Sequence, residues 1–242
     1  MGRFFDIDNP VWRFIGKFAD ILGLNILWFL CSIPIVTIGP ATTAVYYVTL
    51  KLVRDEEGYT MRSFFKSFKQ NLKQGIIIWC IMGGIAIILG LDLYIYLNGG
   101  MSGNFQKVML VIFFAVTFVY MMTMTYVFPV LAKFDNTVKN IIKNAVLISI
   151  RHLPQTILMM IINTALVLVA VFIFPPLVFF GLPLIAFFDS YFLVKIFDNY
   201  IPDELKNRDY TMGDLNFDAL DQKEPLETQG QEVSDADQDT RQ

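Results

Sequence analysis

Apolar residues run through most of positions 21–197 in long blocks, and short polar segments separate them. Four blocks, residues 21–39, 75–97, 108–131 and 156–174, are long enough to cross about 30 Å of hydrocarbon as helices. A fifth, residues 177–197, follows Pro175-Pro176, a pair that cannot sit inside a straight helix and so splits an over-long apolar stretch into a hairpin. Gly39-Pro40 reads as a break after the first block. The run behind it, Ala41 to Val53, would rise only about 20 Å as a helix and is short for a crossing.

Basic residues decide what that short run does. Arg3, Arg13 and Lys17 precede the first block, and Lys51, Arg54, Arg62, Lys66, Lys69 and Lys73 lie between Gly39 and the second long block. Keeping both clusters in the cytoplasm requires the chain to leave and return between them. The expected fold is therefore all-α, a polytopic transmembrane bundle of about six membrane segments, five long and one short, formed by residues 1–200. Both termini then lie in the cytoplasm, and the segments 98–107 and 175–176 face outward with Lys107 as their one basic residue. Five crossings would place Arg3, Arg13 and Lys17 outside, against the usual bias.

Two polar segments carry helical periodicity. From Tyr59 to Lys73, the apolar Met61, Phe64, Phe65, Phe68 and Leu72 recur at three- and four-residue steps, with Arg62, Lys66, Lys69 and Lys73 between them. From Phe134 to Leu153, Val138, Ile141, Ile142, Ala145 and Ile148 alternate in the same way with Lys139, Lys143 and Arg151. Both are expected to be basic amphipathic helices at the cytoplasmic interface. Each leads into a long block by a similar entry, Asn71-Leu72-Lys73-Gln74 and His152-Leu153-Pro154-Gln155, compatible with an internal duplication or simply with polar residues at inner helix starts. Residues 201–242 lose the periodicity, fill with acidic and amide side chains, and are expected to form a disordered cytoplasmic tail.

Composition agrees with lipid as the solvent: 55% of the 242 residues are hydrophobic and 23 are Phe. Cys31 and Cys80 lie inside apolar blocks, which points to neither a disulfide nor a metal. The first block ends without a small-residue cleavage site, so a retained helix is expected.

Candidate chemistry is sparse. No phosphate loop, nucleophile elbow, His-Glu-x-x-His helix or paired-cysteine spacing occurs, so no enzyme, cofactor or nucleic-acid partner is expected. His152, the one histidine, has no carboxylate or cysteine companions in sequence. Ionisable groups within membrane segments are costly and often functional. Asp92 falls near the outer interface beside Tyr94 and Tyr96, whereas Asp189 is deeper, where it could bind a cation or proton or pair with Lys195. Asn163 and Asn25 complete the candidate intramembrane polar site, although each could equally join helices. The prolines at Pro34, Pro40, Pro129, Pro175, Pro176 and Pro183 read as helix breaks, a device that builds transporter sites and ordinary turns alike.

The run Asn25-Ile26-Leu27-Trp28 through Ile33-Pro34-Ile35-Val36-Thr37-Ile38-Gly39-Pro40-Ala41-Thr42-Thr43-Ala44, followed by Phe64-Phe65-Lys66-Ser67-Phe68-Lys69-Gln70-Asn71, resembles the YesL family of bacterial membrane proteins, whose function is unknown. The likeness covers roughly residues 1–200. It implies a cytoplasmic-membrane protein found beside carbohydrate-uptake and polysaccharide-degradation genes, and it carries no site residues. Carbohydrate-transporter subunits, self-association and the bilayer itself are the expected partners. A second likeness, at Ile150-Arg151-His152-Leu153-Pro154, is to the end of the coupling loop of binding-protein-dependent ABC permeases, but Asn144-Ala145-Val146 stands where that loop opens with Glu-Ala-Ala. A non-enzymatic accessory component is the leading expectation. A small secondary transporter or permease-like subunit, and a membrane sensor using the acidic tail, are the alternatives.

Overall fold

A computed structural model describes residues 10–56, 59–98, 104–173 and 181–200. Pro175-Pro176 and the acidic tail lie outside the described residues. Among those described, the chain is all-helical: α1 (Pro10–Cys31), a 3-10 turn (Ile35–Thr37), α2 (Ile38–Val53), α3 (Thr60–Gln70), α4 (Leu72–Asn98), α5 (Asn104–Lys133), α6 (Val138–Arg151), α7 (Leu153–Leu168) and α8 (Gly181–Asp198). α7 runs on as a wider π-turn over Val169–Ile173.

The first helix ends earlier than its apolar run. α1 stops at Cys31, and Gly39-Pro40, expected to be the break, lies inside the first turn of α2. Pro34 supplies the interruption, with extended backbone at φ −75° and ψ 114°. A proline within the first helical turn forfeits only an amide that has no partner there. Pro154 and Pro183 use the same allowance at the starts of α7 and α8, and Pro129 is accommodated within α5.

Enclosure is inverted relative to length. α2, the short segment, is the most covered helix, buried from Gly39 through Tyr46 and again from Val48 to Leu50. It packs against α8, α3, α5, α4 and α1. Its small residues Ala41, Thr42, Thr43 and Ala44 allow neighbours to approach on several sides. Thr43 returns its hydroxyl to the Gly39 carbonyl at 3.0 Å, and Trp28 of α1 donates to the Thr42 hydroxyl at 3.2 Å.

The long helices are the uncovered ones. α4 buries Gly75, Ile78 and Met82 near its start, then exposes Ile85, Ile87, Ile88, Leu91 and Leu93 beyond them. α5 exposes Val111, Ile112, Phe114 and Val116, and only its later part enters the core through Met122, Tyr126, Val127 and Val130. By length and composition, α4, the Val108–Lys133 part of α5 and the Leu153–Ile173 stretch can cross a membrane. Uncovered apolar helices of this kind have lipid as their natural solvent.

The turn between α1 and α2 meets α4 near its beginning. A Cβ on Gly39 would lie 2.5 Å from the Gly75 carbonyl oxygen, and one on Gly75 would lie 2.9 Å from Pro40 Cα. The 3-10 turn itself packs on α4. From Gly75, α4 continues to Asn98, about 34 Å further along its axis.

α3 and α6 begin later and end sooner than the periodic segments that announced them. Lys73 belongs to the first turn of α4, and Phe134 precedes α6 as a buried core residue stacked edge-on against Phe197 at 5.2 Å. α3 buries Phe64 and Ser67 while Met61 and Phe65 remain exposed. α6 buries Ile141, Ala145 and Ile148.

Candidate functional site

α8 presents Pro183, Ala186, Asp189, Ser190, Leu193, Ile196 and Phe197 to the core, an i, i+3, i+4, i+7 stripe that faces inward whatever its chemistry. Asp189 therefore enters the interior because of its register. It is 1% exposed. Its Oδ2 accepts hydrogen bonds from the Tyr46 hydroxyl of α2 at 3.0 Å and from Asn163 Nδ2 of α7 at 3.1 Å. Its Oδ1 has no hydrogen-bond partner, and neither has Asn163 Oδ1.

A hydroxyl network extends from the carboxyl group toward the α2 C-terminus. Ser190 donates to the Ala186 carbonyl at 2.6 Å and lies 2.8 Å from Thr49 Oγ1, which donates to the Tyr46 carbonyl at 3.2 Å. Tyr126 of α5 is fully buried and meets the Thr156 hydroxyl of α7 at 2.9 Å. Thr156 in turn reaches the carbonyls of Ser149 and His152 at 3.0 and 2.9 Å. Four helices thus place side-chain oxygens in an otherwise apolar interior, where each polar group without a partner is costly.

Of the intramembrane residues expected to act together, Asp189 and Asn163 do meet. Asn25 does not join them: it is half-buried on α1 and makes no hydrogen bond to either. The suggested pairing of Asp189 with Lys195 is not formed, because Lys195 falls six residues on, outside the buried stripe, and is exposed. Asp92 is exposed near the end of α4. Tyr46 is the contributor that sequence reasoning missed. It sits in the short apolar run, 143 positions from Asp189, and its one local signal is the i, i+3 spacing to Thr49 on a helix rich in hydroxyls.

Arg62, Lys66, Lys69, Lys73, Lys139, Lys143 and Arg151 are all exposed, on α3, the start of α4, and α6. A second, mixed-charge cluster closes the end of α2. Arg54 binds Asp198 at the end of α8 and lies 3.9 Å from Glu56, Lys51 lies 3.8 Å from Glu56, and Lys17 of α1 meets Asp55 at 2.7 Å. Asp55 turns the chain there with φ 54°. Thr60, opening α3, donates to Asp20 of α1 at 2.7 Å. These contacts bring the later end of α2, the later end of α8, and the starts of α3 and of the core-facing part of α1 together at one pole.

His152 occupies the joint between α6 and α7. Its Nε2 is 3.2 Å from the Tyr200 hydroxyl, and the Arg151 guanidinium lies 5.9 Å from the centre of the Tyr200 ring. Partial burial, and then the neighbouring Arg151 charge, hold its imidazole below the usual value. Among the described residues, no cluster of His, Cys, Asp and Glu gathers as a metal site would.

Comparison with known proteins gives relatives without an assigned activity. Residues 21–93 match DUF624, described as a protein of unknown function. The uncharacterized protein YteU of Bacillus subtilis (strain 168) is 23% identical over 167 residues, covering 67% of this chain and 74% of YteU. The uncharacterized protein YesL of the same organism is 26% identical over 157 residues, covering 63% of this chain and 73% of YesL. No solved structure matches the chain.

Proposed function

We propose that the chain, a member of the YesL-like family of unknown function, is a non-enzymatic component of the bacterial cytoplasmic membrane that works by assembling with other membrane proteins. The observation that carries this reading is the uncovered apolar surface of α4, α5 and α7, three helices long and apolar enough to cross a membrane. The carbohydrate-uptake association comes from the family resemblance, and a subunit of such a system is the partner it suggests. Co-purification from mild detergent is expected to recover a permease or ATPase subunit. Recovery of this chain alone, in repeated preparations, overturns the reading.

In this arrangement α3 and α6 lie along the cytoplasmic interface, as their exposed lysines and arginines favour. α1 and α2 leave the cytoplasm and return to it, which satisfies the charge bias in either of two ways. The close approach of Gly39 to Gly75 favours a re-entrant hairpin over two full crossings. Its turn meets α4 near the start, and most of the apolar length of α4 lies beyond.

A secondary transporter is the second reading, favoured by the buried Asp189 and its hydrogen bonds to α2 and α7. Purified protein in sealed vesicles is then expected to move a sugar, an oligosaccharide or an ion. Vesicles that accumulate none of these remove that alternative.

A further inference from the structure

We propose that Asp189, with Tyr46 and Asn163, forms a proton-binding site inside the helix bundle. The geometry carries the assignment. A carboxylate oxygen that already accepts two hydrogen bonds, at 3.0 and 3.1 Å, shares its group with a second oxygen that has no donor. The neighbouring amide oxygen, Asn163 Oδ1, likewise has none. Two buried acceptors without a donor leave the site one hydrogen short, and a proton on Asp189 Oδ1 supplies it by converting an orphan acceptor into a donor. An alkali cation is a poorer fit, because it needs more oxygen ligands than the pair left over. The hydroxyls of Tyr46, Thr49 and Ser190 spend their protons on the hydrogen bonds described above, so none of them is left to donate to Asp189 Oδ1.

No described cation competes for the carboxylate. On α2, the facing ionisable group is Tyr46, while Lys51 is directed to Glu56 and lies over the Tyr47 ring at 5.3 Å. α7 contributes Asn163 and no ionisable side chain at that level. From α1, Lys17 is engaged by Asp55 and Asp20 by Thr60. On α8 itself Lys195 is exposed and Asp198 is bound by Arg54. Tyr126 of α5 stands behind this layer, joined to Thr156.

The exchange is simple. With the proton bound, the carboxyl is neutral and fits an apolar surrounding. When it leaves, the negative charge is held by the Tyr46 and Asn163 donors alone, with no cation, and the packing among α2, α7 and α8 weakens. This serves an accessory component and a transporter equally, so its test reads protonation directly and not uptake.

Infrared difference spectra of the full chain in nanodiscs, recorded from just above the ordinary carboxylate range to alkaline conditions so that exposed carboxylates stay ionised throughout, test the site. A protonated-carboxyl band is expected in the wild type, lost in Asp189→Asn and retained in Asp92→Asn. Asp189→Asn reproduces the shape of the neutral form, so above pH 6.5, the ordinary imidazole value beyond which His152 no longer contributes a pH dependence, its melting temperature should stay level with rising pH while that of the wild type falls. A band that survives Asp189→Asn overturns the proposal, as do parallel melting profiles. Stabilisation of the wild type by sodium at constant pH overturns it in favour of an alkali-ion site.

Discussion

At the residue scale, the buried carboxyl of Asp189 depends on donors contributed by two other helices, and removing one leaves a deficit that nothing nearby supplies. Tyr46→Phe keeps the ring and deletes the hydroxyl that meets Asp189 at 3.0 Å. It is expected to lower the unfolding free energy by about 1–2 kcal/mol, read from denaturation in nanodiscs. Asn163→Leu should act similarly. Because both donors bind the same Oδ2, the double variant is expected to depart from additivity. His152 gives a prediction of opposite origin. Its folded-state value is depressed by burial and by Arg151, so the folded form resists protonation more than the unfolded chain does. The sign follows: stability is complete above pH 6.5, the ordinary imidazole value, and declines as the pH falls through and below it. A melting profile from neutral to acid pH should show that decline in the wild type and a shallower one in His152→Gln.

At the scale of elements, the tightest junction joins the start of α2 to the start of α4. Both glycines there meet backbone atoms, which cannot swing aside as a flexible side chain can. Gly39→Ala and Gly75→Ala are each expected to cost about 1–3 kcal/mol, measured by the same denaturation assay. Gly83→Ala, on an open part of α4, should cost nothing comparable. This junction also marks where sequence reading succeeded and failed. α4, α5 and α7 were legible because a long uninterrupted apolar run needs no knowledge of its neighbours. Gly39-Pro40 was read as a break because both residues disfavour helix interiors. In the structure they lie in a first turn, where the proline costs little and the glycine admits a second helix. The helices α3 and α6 were visible in their periodicity, but their ends were not. A single residue, Asn71 or His152, separates each from the long helix that follows. The same pair of backbone bonds spans both joints, Asn71 to Ser67 and Gly75 to Asn71 in one, His152 to Ile148 and Thr156 to His152 in the other. Asp189 was conspicuous as a charge in an apolar run. Its partners were not, since they arise from packing α8 against α2 and α7.

At the scale of the whole molecule, the enclosed part and the part apolar enough to cross a membrane are unevenly matched. α2 is surrounded by five helices, yet the later part of α4 and the earlier part of α5 extend beyond that core with their apolar side chains uncovered. A protein that placed α1 and α2 across the full hydrocarbon layer would bring their turn level with the end of α4. Instead the turn rests near the beginning of α4, with Ile33, Ile35 and Val36 exposed at its tip. Apolar residues at a tip that stops inside the bilayer contact lipid, whereas at a tip emerging on the far side they would face water. Single cysteines in a Cys31→Ser, Cys80→Ser background separate these arrangements in intact cells and inside-out vesicles. Lys66→Cys and Lys143→Cys are expected to react with a membrane-impermeant thiol reagent from the cytoplasmic side alone. Ile35→Cys should stay unreactive to that reagent from both sides while reacting with a lipid-soluble one. Labelling of Ile35→Cys from outside would establish a full crossing, and labelling of Lys66→Cys and Lys143→Cys from opposite faces would break the charge argument on which the orientation rests.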